Sequence, residues 1–121
     1  MSTEQNKAVL HRYFEAQNRH SLDDAFAFFS PNILSHSVPG SDSAVGIDDI
    51  KAFFTDFHDA VPDFQVTLHD MIAERDKVVV RFTVTGTQTK ELMGQPPGQP
   101  FVEHSLTMYR LENGKIAEVW S

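Results

Sequence analysis

The dipeptide Asn113-Gly114 separates two runs of alternating apolar residues, 104–111 and 115–120, and constrains this chain more than any other feature. A two-residue type I′ turn needs positive φ at both central positions, which Asn and Gly accept at the least steric cost. The last eighteen residues, HSLTMYRLENGKIAEVWS, therefore read as a β-hairpin. With a side-chain period of two, Ile116, Glu118 and Trp120 fall on one face of its second strand, and Ala117, Val119 and Ser121 on the other. On its first strand His104, Leu106 and Met108 share one face, while Glu103, Ser105, Thr107 and Tyr109 share the opposite one. Glu118 is then a lone acid on an apolar face.

The period differs upstream. Ser2 and Gln5 form a capping-box pattern, and Val9, Leu10, Tyr13, Phe14 and Gln17 follow at helical spacing, which predicts a helix over residues 3–19 with its Tyr13/Phe14 edge inward. Ser21 is read as the cap of a short second helix ended by Pro31, and residues 32–37 as a brief strand. Ile47, Ile50, Phe54, Phe57 and Val61 mark one face of a third helix, stopped by Pro62. From Phe64 onward the period becomes two, giving an antiparallel meander. Its one long interruption, ELMGQPPGQP at 91–100, holds three prolines and two glycines and reads as a loop. Helices followed by a meander make an α+β layer architecture in one domain over residues 1–121. Sheet twist curls such a meander around its helices into a cone.

Composition narrows the chemistry. Seventeen acidic against ten basic residues give a net charge of -7, with no Lys/Arg cluster, so the cationic footprint of a nucleic-acid binder is missing. There is no cysteine to act as nucleophile or thiolate ligand. No apolar run is long enough to span a membrane, and the first residues have no apolar leader, so a cytoplasmic protein is expected. The six histidines form no metal-ligand spacing with an acid, and neither a metal nor a cofactor is expected. Ten Phe, two Tyr and one Trp suffice either to fill a core or to line an apolar pocket.

The segments ILSHSVPG, VPDFQVTLHDMIAERDKVVVRFTVTGTQT and YRLENGKIAEVW, in this order over almost the whole chain, resemble the SnoaL-like polyketide cyclase/ester cyclase group of the nuclear transport factor two-like superfamily. The pattern FPDxxVxxxDxIAExDKVxxRxxxxGTHxG recurs in that group; here it begins Val61-Pro62-Asp63-Phe64 and ends Gly86-Thr87-Gln88-Thr89. The resemblance implies a cone-shaped α+β barrel in which three helices pack on a strongly curved, mainly antiparallel sheet. It further implies an internal pocket, and a homodimer built on the outer sheet face. It does not settle an activity, because one fold hosts many.

In cyclases of this group an aspartate directly after the last strand's tryptophan is the general acid/base, and the chain usually runs several residues further. Here Ser121 stands at that position and the sequence stops. A hydroxyl without a partner base cannot abstract a carbon-bound proton near neutral pH. Glu118 has two readings: an acid entering the cavity with its pKa raised by desolvation, or a surface or interface residue paired with Lys115 or Arg110. His36 matches the group's strand-end histidine at the cavity mouth, and His104 falls where the group places a pocket side chain. Each is equally readable as a satisfied structural histidine. Tyr13 is either a phenol donor to an enolate oxygen or a core residue with its hydroxyl at the rim. Arg81 suits an epoxide-opening arrangement but has no matched pair of acids.

The expected catalytic residues are thus His36, His104 and Glu118. The expected pocket wall comprises Tyr13, Phe14, Phe53, Phe57, Leu92, Met93 and Trp120, with the 91–100 loop as a lid. The expected ligand is small, apolar or aromatic, and carbonyl-bearing. Weak cyclase or isomerase-type chemistry, binding without chemistry, and a protein-interaction module are the three functions in play.

Overall fold

The computed structural model describes every residue from Met1 to Ser121. Three helices, α1 (Thr3–Asn18), α2 (Leu22–Phe26) and α3 (Ile47–Ala60), lie on one face of a curved sheet of five strands. These are β1 (Phe29–Ser35), β2 (Gln65–Glu74), β3 (Lys77–Thr87), β4 (Pro100–Glu112) and β5 (Lys115–Trp120). The order across the sheet is β1-β5-β4-β3-β2, antiparallel except where β1 runs parallel to β5. The sheet curls around the helices but stays open, because β1 and β2 do not pair.

Local chemistry explains the element ends. The Ser2 hydroxyl accepts from the Gln5 N–H at 3.1 Å and the Gln5 side chain accepts from the Ser2 N–H at 2.9 Å, closing the capping box of α1. Val9, Leu10, Tyr13 and Phe14 then enter a core shared with Ile33, Val78, Val80 and Ile116. Asn113 at φ 52° and Gly114 at φ 77° form the turn between β4 and β5. Two sequence expectations shift. The Ser21 hydroxyl makes no cap bond, and α2 stops at Phe26, well before Pro31. Pro31 instead lies within β1, where the ladder to β5 is interrupted between Phe29 and Leu34. An edge strand with a break in its pairing tolerates a residue that has no N–H to donate.

A bulge in β5 has the largest consequence for function. Arg110 pairs with Glu118 while the adjacent Leu111 pairs with Ile116, so Ala117 is an extra residue in β5. Ile116, fully buried, therefore points into the core, and Glu118 and Trp120 point to the outer face rather than sharing the face of Ile116.

Gly86 in β3 allows the end of α3 to rest on the sheet. A Cβ at this position would lie 2.5 Å from Val61 Cγ1 and 3.1 Å from the Phe64 backbone. Gly86→Ala is expected to cost about 1–3 kcal/mol, seen as a lower midpoint in urea unfolding. An unchanged midpoint would contradict this close approach.

Candidate functional site

Between α1, α3 and the inner face of the sheet lies a cavity of about 280 Å³. Seven of the ten phenylalanines line it, so most of the aromatic supply walls a pocket as well as filling a core. Because β4 alternates, Tyr109, Thr107, Ser105 and Glu103 all face this space. Val119 and Ser121 face it from β5, and Ser35 and Ser37 from β1 and the segment after it. Glu103 is the only carboxylate in the lining, and the lining contains no histidine.

Besides Ser35, Glu103, Ser105 and Tyr109, three sets of polar groups stand on the wall. Thr107 Oγ1 and Ser121 Oγ are 2.9 Å apart, so one of the two hydroxyls donates to the other. The Ser37 hydroxyl is buried with no partner in the protein, a state that costs about 1–3 kcal/mol unless another group bonds to it. The third set begins at Tyr13, only 3% exposed. Its hydroxyl oxygen accepts from Gln17 Nε2 at 2.8 Å, and Gln17 Oε1 lies 2.8 Å from His58 Nε2 on α3. Burial raises the Tyr13 phenol pKa, with the Gln17 hydrogen bond opposing it weakly, so the hydroxyl keeps its proton.

Of the side chains expected from sequence, Tyr13, Phe14, Phe53, Phe57 and Met93 line the cavity. Met93 reaches it from the loop between β3 and β4 in a left-handed backbone conformation, φ 51°. Leu92 is buried beside the cavity in a cluster with Phe57 and Phe64. His36, His104, Glu118 and Trp120 lie elsewhere, and these four expectations are corrected by strand alternation and the β5 bulge. Ser35 and Ser37 point inward, so His36 between them points outward. The His36 ring stacks on Trp120 at 5.5 Å with 3° between planes, and its Nε2 is 2.7 Å from Glu118 Oε2. Arg110 Nε donates to Glu118 Oε1 at 3.2 Å. Those contacts, the His36 bond first and Arg110 after it, hold the Glu118 carboxyl below its ordinary pKa. A general base in a dry pocket requires the opposite shift, so Glu118 is the ion-paired surface residue of the second reading.

His104 is also on the outer face, its Nδ1 3.0 Å from Thr83 Oγ1, which is 2.7 Å from His69 Nε2. Arg81 pairs with Asp70 at 2.7 Å on that same face. Sequence reasoning missed Glu103, Ser105 and Thr107 as a set. Their signal was present, since they alternate in phase with Tyr109; the face carrying His104 was read as the inner one.

Comparison with known proteins agrees with this fold. A family model described as SnoaL-like polyketide cyclase matches residues 7–121. AclR of Streptomyces galilaeus, a proposed hydroxylase, superposes with a TM-score of 0.88 at 32% identity, over 98% of this chain and 78% of its own. A SnoaL-like protein of Jannaschia sp. CCS1, a proposed polyketide cyclase, gives 0.82 at 27% identity, over 97% and 83%. IdmH of Streptomyces antibioticus, also a proposed polyketide cyclase, gives 0.81 at 25%, over 96% and 89%. No curated protein matches the chain.

His58 supplies a pH test. Burial, and secondarily the neighbouring His20, lower its pKa from 6.5 to about 4. A group whose folded pKa is depressed gives its full stabilisation above its unfolded value and loses it as pH falls. The urea midpoint is expected to drop between pH 6.5 and 4, and to drop less in His58→Gln. Identical profiles for the two proteins would refute the assignment. Glu118, Asp63 and Asp76, also depressed, lose their stabilisation only as pH falls through about 4.5 and below, and do so equally in both proteins.

Proposed function

The chain belongs to the SnoaL-like polyketide cyclase family, and on that premise we propose that it binds a small, largely apolar, carbonyl-bearing compound and promotes enolisation of it. One observation carries this reading: a phenylalanine-lined cavity holds a buried phenol whose oxygen is already hydrogen-bonded but whose proton has no acceptor in the protein. Such a group bonds a carbonyl oxygen and bonds it more strongly as negative charge builds there. The aromatic walls exclude water and favour a ring-bearing ligand.

The carbon-bound proton needs a base that reaches the ligand. Ser121 is a hydroxyl paired with Thr107, and His36, His104 and Glu118 face away from the cavity. Glu103, an exposed residue at the edge of the cavity lining, is the remaining candidate. In this reading its carboxylate takes the proton α to the carbonyl, the C–H electron pair becomes the C=C bond of the enolate, the C=O π pair moves onto oxygen, and Tyr13 stabilises that oxygen. Returning the proton to carbon gives isomerisation or exchange. Attack of the enolate carbon on a second carbonyl of the same ligand, with the proton delivered to the new alkoxide, gives ring closure. The relatives described as cyclases fit the second outcome.

Deuterium incorporation at C2 of 1-tetralone in D2O, followed by NMR, tests the chemistry. Wild type is expected to exceed the buffer rate and Glu103→Gln to fall by about 100-fold, the usual loss on removing a positioned base. Exchange at the buffer rate with binding intact would leave a ligand-binding protein without turnover, a reading that the Ser121–Thr107 hydroxyl pair favours.

We also propose that a second copy covers the outer sheet face. Ile72, Val102 and Leu106 there are 69%, 59% and 63% exposed, and charges of both signs, Arg81 with Asp70 and Arg110 with Glu112 and Glu118, lie among them. A patch holding both signs meets the charge requirement of an isologous two-fold contact, in which each sign faces its opposite on the other copy. Sedimentation is expected to give twice the 13.7 kDa chain mass, and Leu106→Glu to give one chain mass; a monomeric wild type would contradict this.

A further inference from the structure

The contact between Gln17 and His58 is absorbed neither by the core nor by the proposed chemistry. A glutamine amide has one end that donates and one that accepts, so between two partners it imposes a direction. Here the donating end meets the Tyr13 oxygen and the accepting end meets His58 Nε2, both at 2.8 Å. His58 must therefore carry its proton on Nε2. The neutral Nε2–H tautomer and the doubly protonated ring both satisfy this, so the direction survives a change in His58 charge.

The geometry around the chain holds it in place. Gln17 is one helical turn beyond Tyr13 on α1 and is 4% exposed, so its amide takes its direction from these two partners. The His58 ring meets the face of Phe64 edge-on at 4.5 Å. His20 stacks on Phe64 at 4.6 Å, with its Nε2 2.9 Å from the Phe64 carbonyl oxygen. The other charged groups nearby are committed elsewhere: Asp59 to Lys90, and Asp63 to the Thr87 backbone.

We infer that Gln17 and His58 are positioning residues: a one-way chain, His58 to Gln17 to Tyr13, keeps the Tyr13 hydroxyl a donor toward the cavity. The site then selects ligands that present an acceptor, a ketone or an enolate oxygen, over ligands of the same shape without one. This rests on the cavity being the ligand site, as proposed above. It adds that selectivity is set by two side chains, one of which does not line the cavity.

The probes are 1-tetralone and tetralin, which differ by one carbonyl oxygen, with binding read by NMR titration. Wild type is expected to favour the ketone by about tenfold, the equivalent of one hydrogen bond. Gln17→Glu keeps the shape but has no N–H to give, so the Tyr13 proton turns to the carboxylate. The ketone preference should then vanish while tetralin still binds, and the His58 pKa should rise from about 4 because it now faces a carboxylate. A retained preference, or a His58 that does not move, would overturn the inference. If Gln17→Glu does not fold, His58→Leu carries the same test: it removes the donor at the head of the chain and lets the amide turn its carbonyl toward Tyr13, which should again erase the preference. Wild type binding both probes equally would defeat the directional chain alone. Wild type binding neither would defeat the ligand-site reading beneath it.

Discussion

Strand alternation on β4, pinned by the bulge at Ala117, is the constraint on which the rest of the structure depends. Tyr109 and Leu111 must enter the core, and with a period of two this sends Thr107, Ser105 and Glu103 to the same side. A strand shifted by one residue would exchange that set for Arg110, Met108, Leu106 and His104. It would also bury the Arg110 guanidinium. Without the extra residue in β5, Ile116 and Glu118 would share a face, and either a buried carboxylate or an exposed isoleucine would result. The bulge resolves that conflict, since Ile116 is fully buried and Glu118 is bridged between Arg110 and His36 at the surface.

The two faces consequently differ in kind. The outer face is ionic and stacked: Glu118 stays charged because His36 and Arg110 bond to it, and Trp120 supports His36. On the inner side the hydrogen-bonded groups along the His58–Gln17–Tyr13 chain are kept neutral by burial, which lowers the histidine pKa and raises that of the phenol. A neutral donor in an apolar cavity suits a carbonyl ligand. A permanently charged acid at the same place would have had to be desolvated at a cost of several kcal/mol.

Much of the fold was legible from sequence because local signals agreed with tertiary packing. The Ser2/Gln5 box, the Asn113-Gly114 turn and the Ile47-to-Val61 stripe each have one low-energy interpretation. Pocket residues on helices, Tyr13, Phe14, Phe53 and Phe57, were also legible, since helical spacing separates an inner from an outer face without ambiguity. On the strands alternation gives two sets but does not say which faces inward. His104 and Glu118 drew attention as chemically able residues, and no local signal marks a bulge at Ala117. Glu103 was passed over because an acid beside polar Ser105 and Thr107 reads as a solvent face when the cavity behind it is not known. The Gln17–His58 contact joins residues far apart in sequence, so it became visible only when α1 and α3 were placed together.

The most direct test of which sheet face holds the ligand is a chemical-shift map of the protein titrated with 1-tetralone. Perturbations are expected at Tyr13, Phe54, Ser105, Thr107 and Val119, with the Trp120 indole and the His36 and His104 rings unmoved. Shifts concentrated at Trp120, His36 and His104 would place the ligand on the outer face and contradict the assignment of the cavity as the functional site.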